Sequence, residues 1–495
     1  MGASFMIARG ALAIVLMVGF YALALGMAGG LLWIPYAEVV YAHHITPKLA
    51  LICIIASVGI LWAAMPRPDK FIAPGPRLRR AEHPRLFENL ETIAQATRQA
   101  MPAEVYLVPD VNAWVTQRGG VMGFGSRRVM GLGLPLMRIL TCSQLSAVLA
   151  HEFGHYHGGD TKIGPWIYKT RTAIGRTLHA LGSGSWLQYP FRWYGMLFLR
   201  ITHTVSRRQE YIADELAARA VGARPLIEGL HTVHRVAPAY AFYWHQECAP
   251  VLGAGFLPPL ADGFDLFVRA RPIAEKVDQR LHEELASGVA DPYDTHPSLK
   301  DRVAALAKLP QGSEPGEDSP AASLLNDVPA LERELMAQMA GAEGASLTQI
   351  SWEDTGARVY IPQWTRLVQA HAAGLKGITP AALPGIAGDL KELGQSLRAL
   401  TSQPPDDERA PALANGVVGA ALLLLLIARG GQLHVIPGED FFVRLDGHEV
   451  KPFTVLPALQ SGAISAQAWD QQCTALGIAG ADLSGVAAPA PDVDG

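Results

Sequence analysis

Residues 10–37 hold no charged side chain, and residues 49–66 hold none either. A helix needs ~20 apolar residues to cross the hydrocarbon core of a bilayer. The stretch 11–33 meets that length, and 49–66 just meets it. The short polar segment 38–48, with His43 and His44, separates them, so residues 1–66 read as a transmembrane helical hairpin. A cleaved signal peptide is the rival, but its apolar core runs only ~7–15 residues, and no second span should follow so soon. After the second run come Arg67, Lys70, Arg77, Arg79 and Arg80, whereas the hairpin loop offers only Lys48 besides its histidines. The positive-inside rule then puts the rest of the chain in the cytoplasm, with the protein held in the inner or plasma membrane and the lipid bilayer as a partner.

The composition agrees. Charged residues are 17% and apolar residues 49% of 495, and the mean hydropathy is +0.17. A chain this apolar is not disordered as a whole, and it shows neither collagen nor coiled-coil repeats. A net charge of −4 gives no pointer to nucleic acid, and no nucleic-acid partner is expected. The four cysteines, Cys53, Cys142, Cys248 and Cys473, form no CxxC pair, which argues against a disulfide framework or a thiolate zinc site.

Beyond a basic, Pro-rich stretch at 66–84, helical spacing of Leu86, Leu90, Ile93 and Ala94 predicts a helix over 85–101. Strands are expected at 104–108, 112–116 and 127–134, with the Gly-rich 119–125 as a turn. Thr141 offers an N-cap to a helix running to His157, where Gly158 and Gly159 stop it. Residues 163–204 mix aromatics with arginines and fit either a membrane-interface element or a helical hairpin packed in a core. Residues 206–222 read as a helix. A Gly/Pro/Ser/Glu stretch marks a linker over 311–325. Residues 326–430 read as mainly helical, with 412–428 favoured as a buried helix over a third span. Residues 431–480 read as a small α+β module, and 481–495 as a disordered tail.

The sequence His151-Glu152-Phe153-Gly154-His155 is an HExxH motif on the helix expected after Thr141. Residues four apart share one helix face, so both imidazoles can reach one tetrahedral zinc. Glu152, ~100° around the helix from His151, points beside the metal as a candidate general base. A continuation of the form HExxHxxGxxH would need His where Thr161 stands, so the third ligand must come from elsewhere. Glu210 on the helix 206–222 can supply it, and Asp214, one turn later, can accept a hydrogen bond from a ligand histidine. Two histidines and one carboxylate leave an open metal position, as hydrolysis requires. His43, His44, His157, His231 and His234 are set aside as ligands, the last two as ordinary helix residues.

Together these pieces resemble the M48 family of integral-membrane zinc metallopeptidases, which includes the CaaX prenyl protease and HtpX types. The matching residues are Leu145 to His155, Glu210-Tyr211-Ile212-Ala213-Asp214, Thr295-His296-Pro297 with Arg302, Asn112-Ala113, and Gly131-Leu132, within 82–309. The resemblance implies a zincin-type (gluzincin) metallopeptidase domain at 67–310 with one zinc per chain. It implies Glu210 as third ligand and Asp214 as hydrogen-bond partner behind a ligand histidine. His296 would either touch the reacting carbonyl oxygen or cap the metal at rest, and Arg302 would be a structural or substrate contact. Asn112 and Ala113 would lie on a strand where an extended substrate pairs. Polypeptides would be the substrates, membrane proteins among them, and quality control of membrane proteins a fitting role. Two features depart from familiar members: the hairpin is wholly N-terminal, and the insert between His155 and Glu210 lacks two clear spans.

The expected fold is therefore mainly α with a small β-sheet: membrane hairpin, metallopeptidase domain, then a helical region and a small β-rich module. The expected function is zinc-dependent endopeptidase with Glu152 as base. The rival is a membrane-anchored interaction protein whose zinc site is structural or latent; Glu152, which a structural site does not need, speaks against it.

Overall fold

The computed structural model describes residues 3–65, 71–119, 125–156, 164–182, 184–287, 297–312, 318–341, 346–398 and 407–486. The chain divides into two compact units, one of residues 1–237 and 278–339, the other of 238–277 and 340–495. His296 and the tail 487–495 lie outside the described residues.

The first unit opens with helices α1 (Ala3–Tyr41) and α2 (Pro47–Ala64), packed as a hairpin. Their seam uses Phe20, Ala24, Ala28, Cys53 and Ile60, and Ser57 Oγ donates to the Ala28 carbonyl at 3.0 Å. At the turn, the Glu38 carboxylate accepts from Thr46 N at 3.2 Å and Thr46 Oγ1 at 2.9 Å, satisfying donors at the start of α2. The outer faces stay apolar: Val15, Val18, Leu25 and Ile52 are each 63% exposed. Helices apolar all round belong in lipid, and the pair forms the membrane hairpin.

Helix α3 (Pro84–Thr97) buries Leu86, Leu90, Ile93 and Ala94 and ends at Arg98, which takes the left-handed conformation at φ 55°. A four-stranded mixed sheet packs beside it, made of β1 (Arg77–Leu78), β2 (Glu104–Val108), β3 (Ala113–Arg118) and β4 (Arg127–Gly133), in the order β1-β2-β4-β3. Strand β2 runs parallel to β4, and β3 runs antiparallel to it with Ala113 opposite Leu132, leaving β3 at the edge. After α4 (Leu134–Ile139) comes α5 (Cys142–Gly154), started by a capping box: Thr141 Oγ1 accepts from Gln144 N, and Thr141 N donates to Gln144 Oε1, both at 3.3 Å. Within the stretch expected as a linker, residues 318–325 dock on this same helix start. The Cys142 N–H donates to Ser319 O at 2.9 Å, Ser143 N–H donates to the Asp318 carboxylate at 3.1 Å, and Ala321 and Leu324 are buried.

The described part of 163–204 forms helices α6 (Gly164–Ala180) and α7 (Gln188–Ala220), which pack on the hairpin as the core-packed reading expects. Ala173, Ile174, Phe191 and Phe198 join the buried cluster of the membrane hairpin. Tyr194 Oη donates to Leu16 O at 2.6 Å, and Arg176 Nε donates to Ala63 O at 3.1 Å at the end of α2. On the opposite side Trp186, Tyr189 and Trp193 are exposed. The helix expected at 206–222 is the C-terminal part of α7, which is continuous for 33 residues. Helix α8 (Ala223–Tyr243) packs on α5, with Gly229 facing Val148 and Gln144.

The second unit is built around the helix Ala410–Ala428. By length and composition this helix, like α1 and α2, could cross a membrane, but it is buried over 67% of its apolar window against 33% for each of the other two. The helices Leu390–Arg398 and Ile361–Ala370 pack against it, and Asn415 Nδ2 donates to Phe453 O at 2.9 Å. A three-stranded antiparallel sheet (Gln432–His434, Phe442–Leu445, His448–Val450) completes the β-rich module. Short α, 3-10 and π turns interrupt what the sequence suggested as a mainly helical stretch from 326 to 430. Elsewhere in this unit Tyr243, Phe264, Phe267 and Trp352 form an aromatic cluster, with Trp352 Nε1 donating to Pro259 O at 2.9 Å.

A glycine sets the distance between the helices that carry the HExxH motif and Glu210. A Cβ on Gly154 would stand 2.7 Å from Ala213 Cα, so α5 and α7 touch at that glycine. Gly154→Val should force the helices apart, a clash of the kind that costs about 1–3 kcal/mol. The expected outcome is a lowered melting temperature in detergent together with weaker zinc binding. Melting and zinc content equal to the parent protein would show that the contact does not set the spacing.

Candidate metal centre

Helix α5 delivers His151 and His155. The latter is the C-cap but keeps helical angles (φ −60°, ψ −16°), so the four-residue spacing still puts both rings on one side. The ring centroids are 4.7 Å apart, edge to face. Helix α7 brings Glu210 to them. His151 Nε2 lies 3.5 Å from Glu210 Oε2, and His155 Nε2 lies 3.7 Å from Glu210 Oε1. Ligand atoms ~2.1 Å from a tetrahedral zinc stand ~3.4 Å from one another. The three groups, whose ligand atoms lie within 4.8 Å of each other, therefore fit such an ion.

Behind these three groups lies a buried charge network. Asp214, one turn after Glu210, accepts from His151 Nδ1 at 2.8 Å. It also accepts from Arg302 Nε at 2.9 Å and Nη2 at 2.7 Å, a bidentate pairing. Arg302 Nη1 lies 3.7 Å from Glu210 Oε2. Arg302 comes from the helix Leu299–Leu306, whose start is capped by Ser298 Oγ accepting from Asp301 N at 3.1 Å. His151, Glu210, Asp214 and Arg302 are all buried. Arg302 is thus a structural contact of the site. With Nδ1 of His151 engaged by Asp214, Nε2 is the nitrogen left for a metal.

These contacts shift the titration of the group. Burial acts to lower the pKa of His151, but hydrogen bonds to the Asp214 and Glu210 carboxylates outweigh it and lift it to about 9. Burial acts to raise the Asp214 pKa, yet Arg302 and His151 hold it below the usual carboxylate range. Glu152 sits half-buried beside the ligands, and that burial pushes its carboxyl up to about 7 against the opposing pull of His151.

The edge strand meets the helix at this point. Gly133 N donates to Asn112 O at 2.8 Å across the ladder. By antiparallel alternation, the backbone groups of Ala113 and Val115 point away from β4. Those of Val115 are occupied: its N–H is bonded to the Glu152 carboxylate, and its carbonyl accepts from Tyr156 Oη at 2.9 Å. The Arg128 guanidinium lies 4.2 Å from the centre of the Tyr156 ring.

His151, Glu152, His155 and Glu210 open onto a cavity of about 310 Å³, which Asn112, Ala113 and Pro297 also line. The structure thus brings seven of the eight candidate residues to one place: six at the cavity wall and Asp214 behind His151. The eighth, His296, is outside the described residues. The cavity also holds a pair that sequence reasoning passed over. His234 on α8 and Glu284 on the helix Arg271–Ser287 line it together, with His234 Nδ1 2.8 Å from Glu284 Oε1. Their only trace in the sequence is that Leu226, Leu230 and His234 repeat at helical spacing, so that the histidine continues an otherwise apolar stripe.

Comparison with known proteins gives a consistent picture. The profile described as Peptidase family M48 matches residues 80–309. A "Protease HtpX homolog" of Tropheryma whipplei (strain Twist) is 28% identical over 160 residues, 29% of this chain and 53% of the relative. A "Protease HtpX homolog" of Acaryochloris marina (strain MBIC 11017) is 24% identical over 246 residues, 46% of this chain and 73% of the relative. The chain thus spans about half the length of the first of these relatives. No solved structure matches significantly. The matched segment encloses His151, Glu152, His155, Glu210, Asp214 and Arg302, so residues 80–309 are similar to the M48 peptidases and form a domain of that type.

Proposed function

We propose that this protein is a membrane-anchored zinc endopeptidase with its catalytic residues on the cytoplasmic side. One observation supports the reading: among the described residues, the three side chains that could hold a metal, with Glu152 beside them, stand at the wall of an open cavity. The orientation rests on the arginines and lysines that follow α2. Membrane proteins are the substrates we favour, because α1 and α2 hold the site beside the bilayer.

A zinc ion held by His151, His155 and Glu210 would supply Lewis acidity and lower the pKa of water. Glu152 takes the proton of the attacking water and passes it to the leaving amine. The N–H of Val115 holds the Glu152 carboxylate at the strand edge. His296 is the proposed donor to the carbonyl oxygen. Substrate main chain pairs with the outward N–H and carbonyl of Ala113, with Asn112 alongside. Because Val115 is already bonded to the helix, pairing stops at Ala113, so recognition by strand addition is short and side chains must supply the rest.

Two measurements test this. Glu152→Gln protein purified in detergent should bind one zinc per chain, as the parent does, yet lose chelator-sensitive cleavage of an unfolded protein such as casein. A loss of 10²-fold or more is expected when a general base is removed, ~10²–10⁴-fold being its typical contribution. Cleavage at the parental rate would remove Glu152 from the role.

The second reads protons. A ligand histidine must be neutral, whereas metal-free His151 is held charged up to about 9. Zinc binding near pH 7.5 should therefore release about one proton per ion, seen by calorimetry in buffers of different ionisation enthalpy. The pKa is raised above its ordinary 6.5, so the charge pairing stabilises the metal-free protein fully below that value. It is lost as pH rises through about 9, and metal-free melting temperature should fall over that interval. Zinc binding without proton release would overturn the assignment.

A further inference from the structure

We propose that Glu284, steadied by His234, makes the cleft selective for a cationic group on the substrate; this rests on the peptidase reading above.

The charges in the cavity lead to it. Asp214 is matched by the bidentate Arg302. A divalent ion held by His151, His155 and Glu210 would balance the charges of Glu152 and Glu210. That leaves Glu284, hydrogen-bonded to His234, as the one further carboxylate among the described residues of the wall. Around it the α8 side of the cavity is apolar, with Leu226, Leu230 and Val233. A carboxylate on such a wall attracts an ammonium or guanidinium more strongly than one in open water. Its bond to His234 Nδ1 fixes the carboxylate by one oxygen, and the Glu284 side chain keeps 35% of its surface exposed.

The pair is not needed merely to join its two helices. Arg235 on α8 and Asp278 on the same partner helix already form an ion pair, with the Asp278 side chain 51% exposed. His234 and Glu284 instead line the cavity. The chemistry recognised is a positive charge carried by lysine, arginine or the free amino terminus of a chain, and an aliphatic side chain of equal length would gain nothing from the carboxylate.

The test uses full-length, zinc-loaded Glu152→Gln protein in detergent, so that binding is read without turnover. Fluorescent extended peptides differ at one position, Lys, norleucine or Glu, each with a free or an acetylated amino terminus. Lys peptides should bind about tenfold tighter than norleucine peptides, the size of one charge-assisted hydrogen bond. Adding Glu284→Gln should bring the ratio close to one, and Glu284→Lys should turn the preference towards Glu. The amide oxygen of Glu284→Gln still accepts from His234, and an unchanged melting temperature and zinc content would confirm that the fold is kept. Selectivity that follows acetylation instead of the Lys position would assign the cation to the chain terminus. Equal binding of Lys and norleucine peptides with no effect of acetylation, or a preference that survives Glu284→Gln, would overturn the proposal. Failure of the peptidase reading is a separate result: no chelator-sensitive cleavage by protein with Glu152 intact.

Discussion

The buried contact between Asp214 and Arg302 is the interaction on which the site depends. A carboxylate and a guanidinium removed from water are tolerable only when each is fully met by the other, and breaking such a pair by deleting one partner costs about 3–5 kcal/mol. Here the partners come from α7 and from the helix Leu299–Leu306, 88 residues apart in sequence. The same carboxylate also takes the Nδ1 proton of His151 on α5. Three helices are therefore held by one charge cluster, and the ring of His151 is oriented by it. The planar fork of arginine matters, since a lysine ammonium could not meet both Asp214 oxygens in one plane.

Strand β3 and helix α5 are coupled in a second way. An edge strand leaves alternate backbone groups unpaired, a hazard that proteins usually cover. At Val115 the cover is provided by Glu152 and Tyr156 from α5 and its end. The contact registers the strand against the HExxH helix and leaves Ala113, at the cavity wall, with its outward groups facing away from the sheet.

Helix α7 joins the membrane hairpin to the candidate metal centre. Its early residues Phe191 and Phe198 belong to the buried cluster of the α1–α2 hairpin, and its later residues Glu210 and Asp214 belong to the site. Glu210 follows Phe198 by twelve positions along the helix, which at ~1.5 Å per residue is about 18 Å. A continuous helix of that length fixes how far Glu210 and Asp214 stand from the hairpin core, without any need for a flexible linker.

Much of this was legible in the order of residues. The uncharged runs at 10–37 and 49–66 meet a bilayer's length requirement by themselves. The spacings of His151 to His155 and of Glu210 to Asp214 are local, and helical periodicity alone puts each pair on one face. Spacing did not reveal that Arg302 closes on Asp214, that Val115 is occupied by the helix beside it, or that His234 meets Glu284 at the cavity wall. Nor did it reveal that α6 and α7 pack on the hairpin while Trp186 and Trp193 face out, or that residues 238–277 share a compact unit with the chain after 340. Each of these joins segments tens to hundreds of residues apart. Periodicity within one element determines which side chains share a face. Which faces meet is decided by the packing of the whole chain, and buried charges then hold only the arrangement in which every one of them finds its partner.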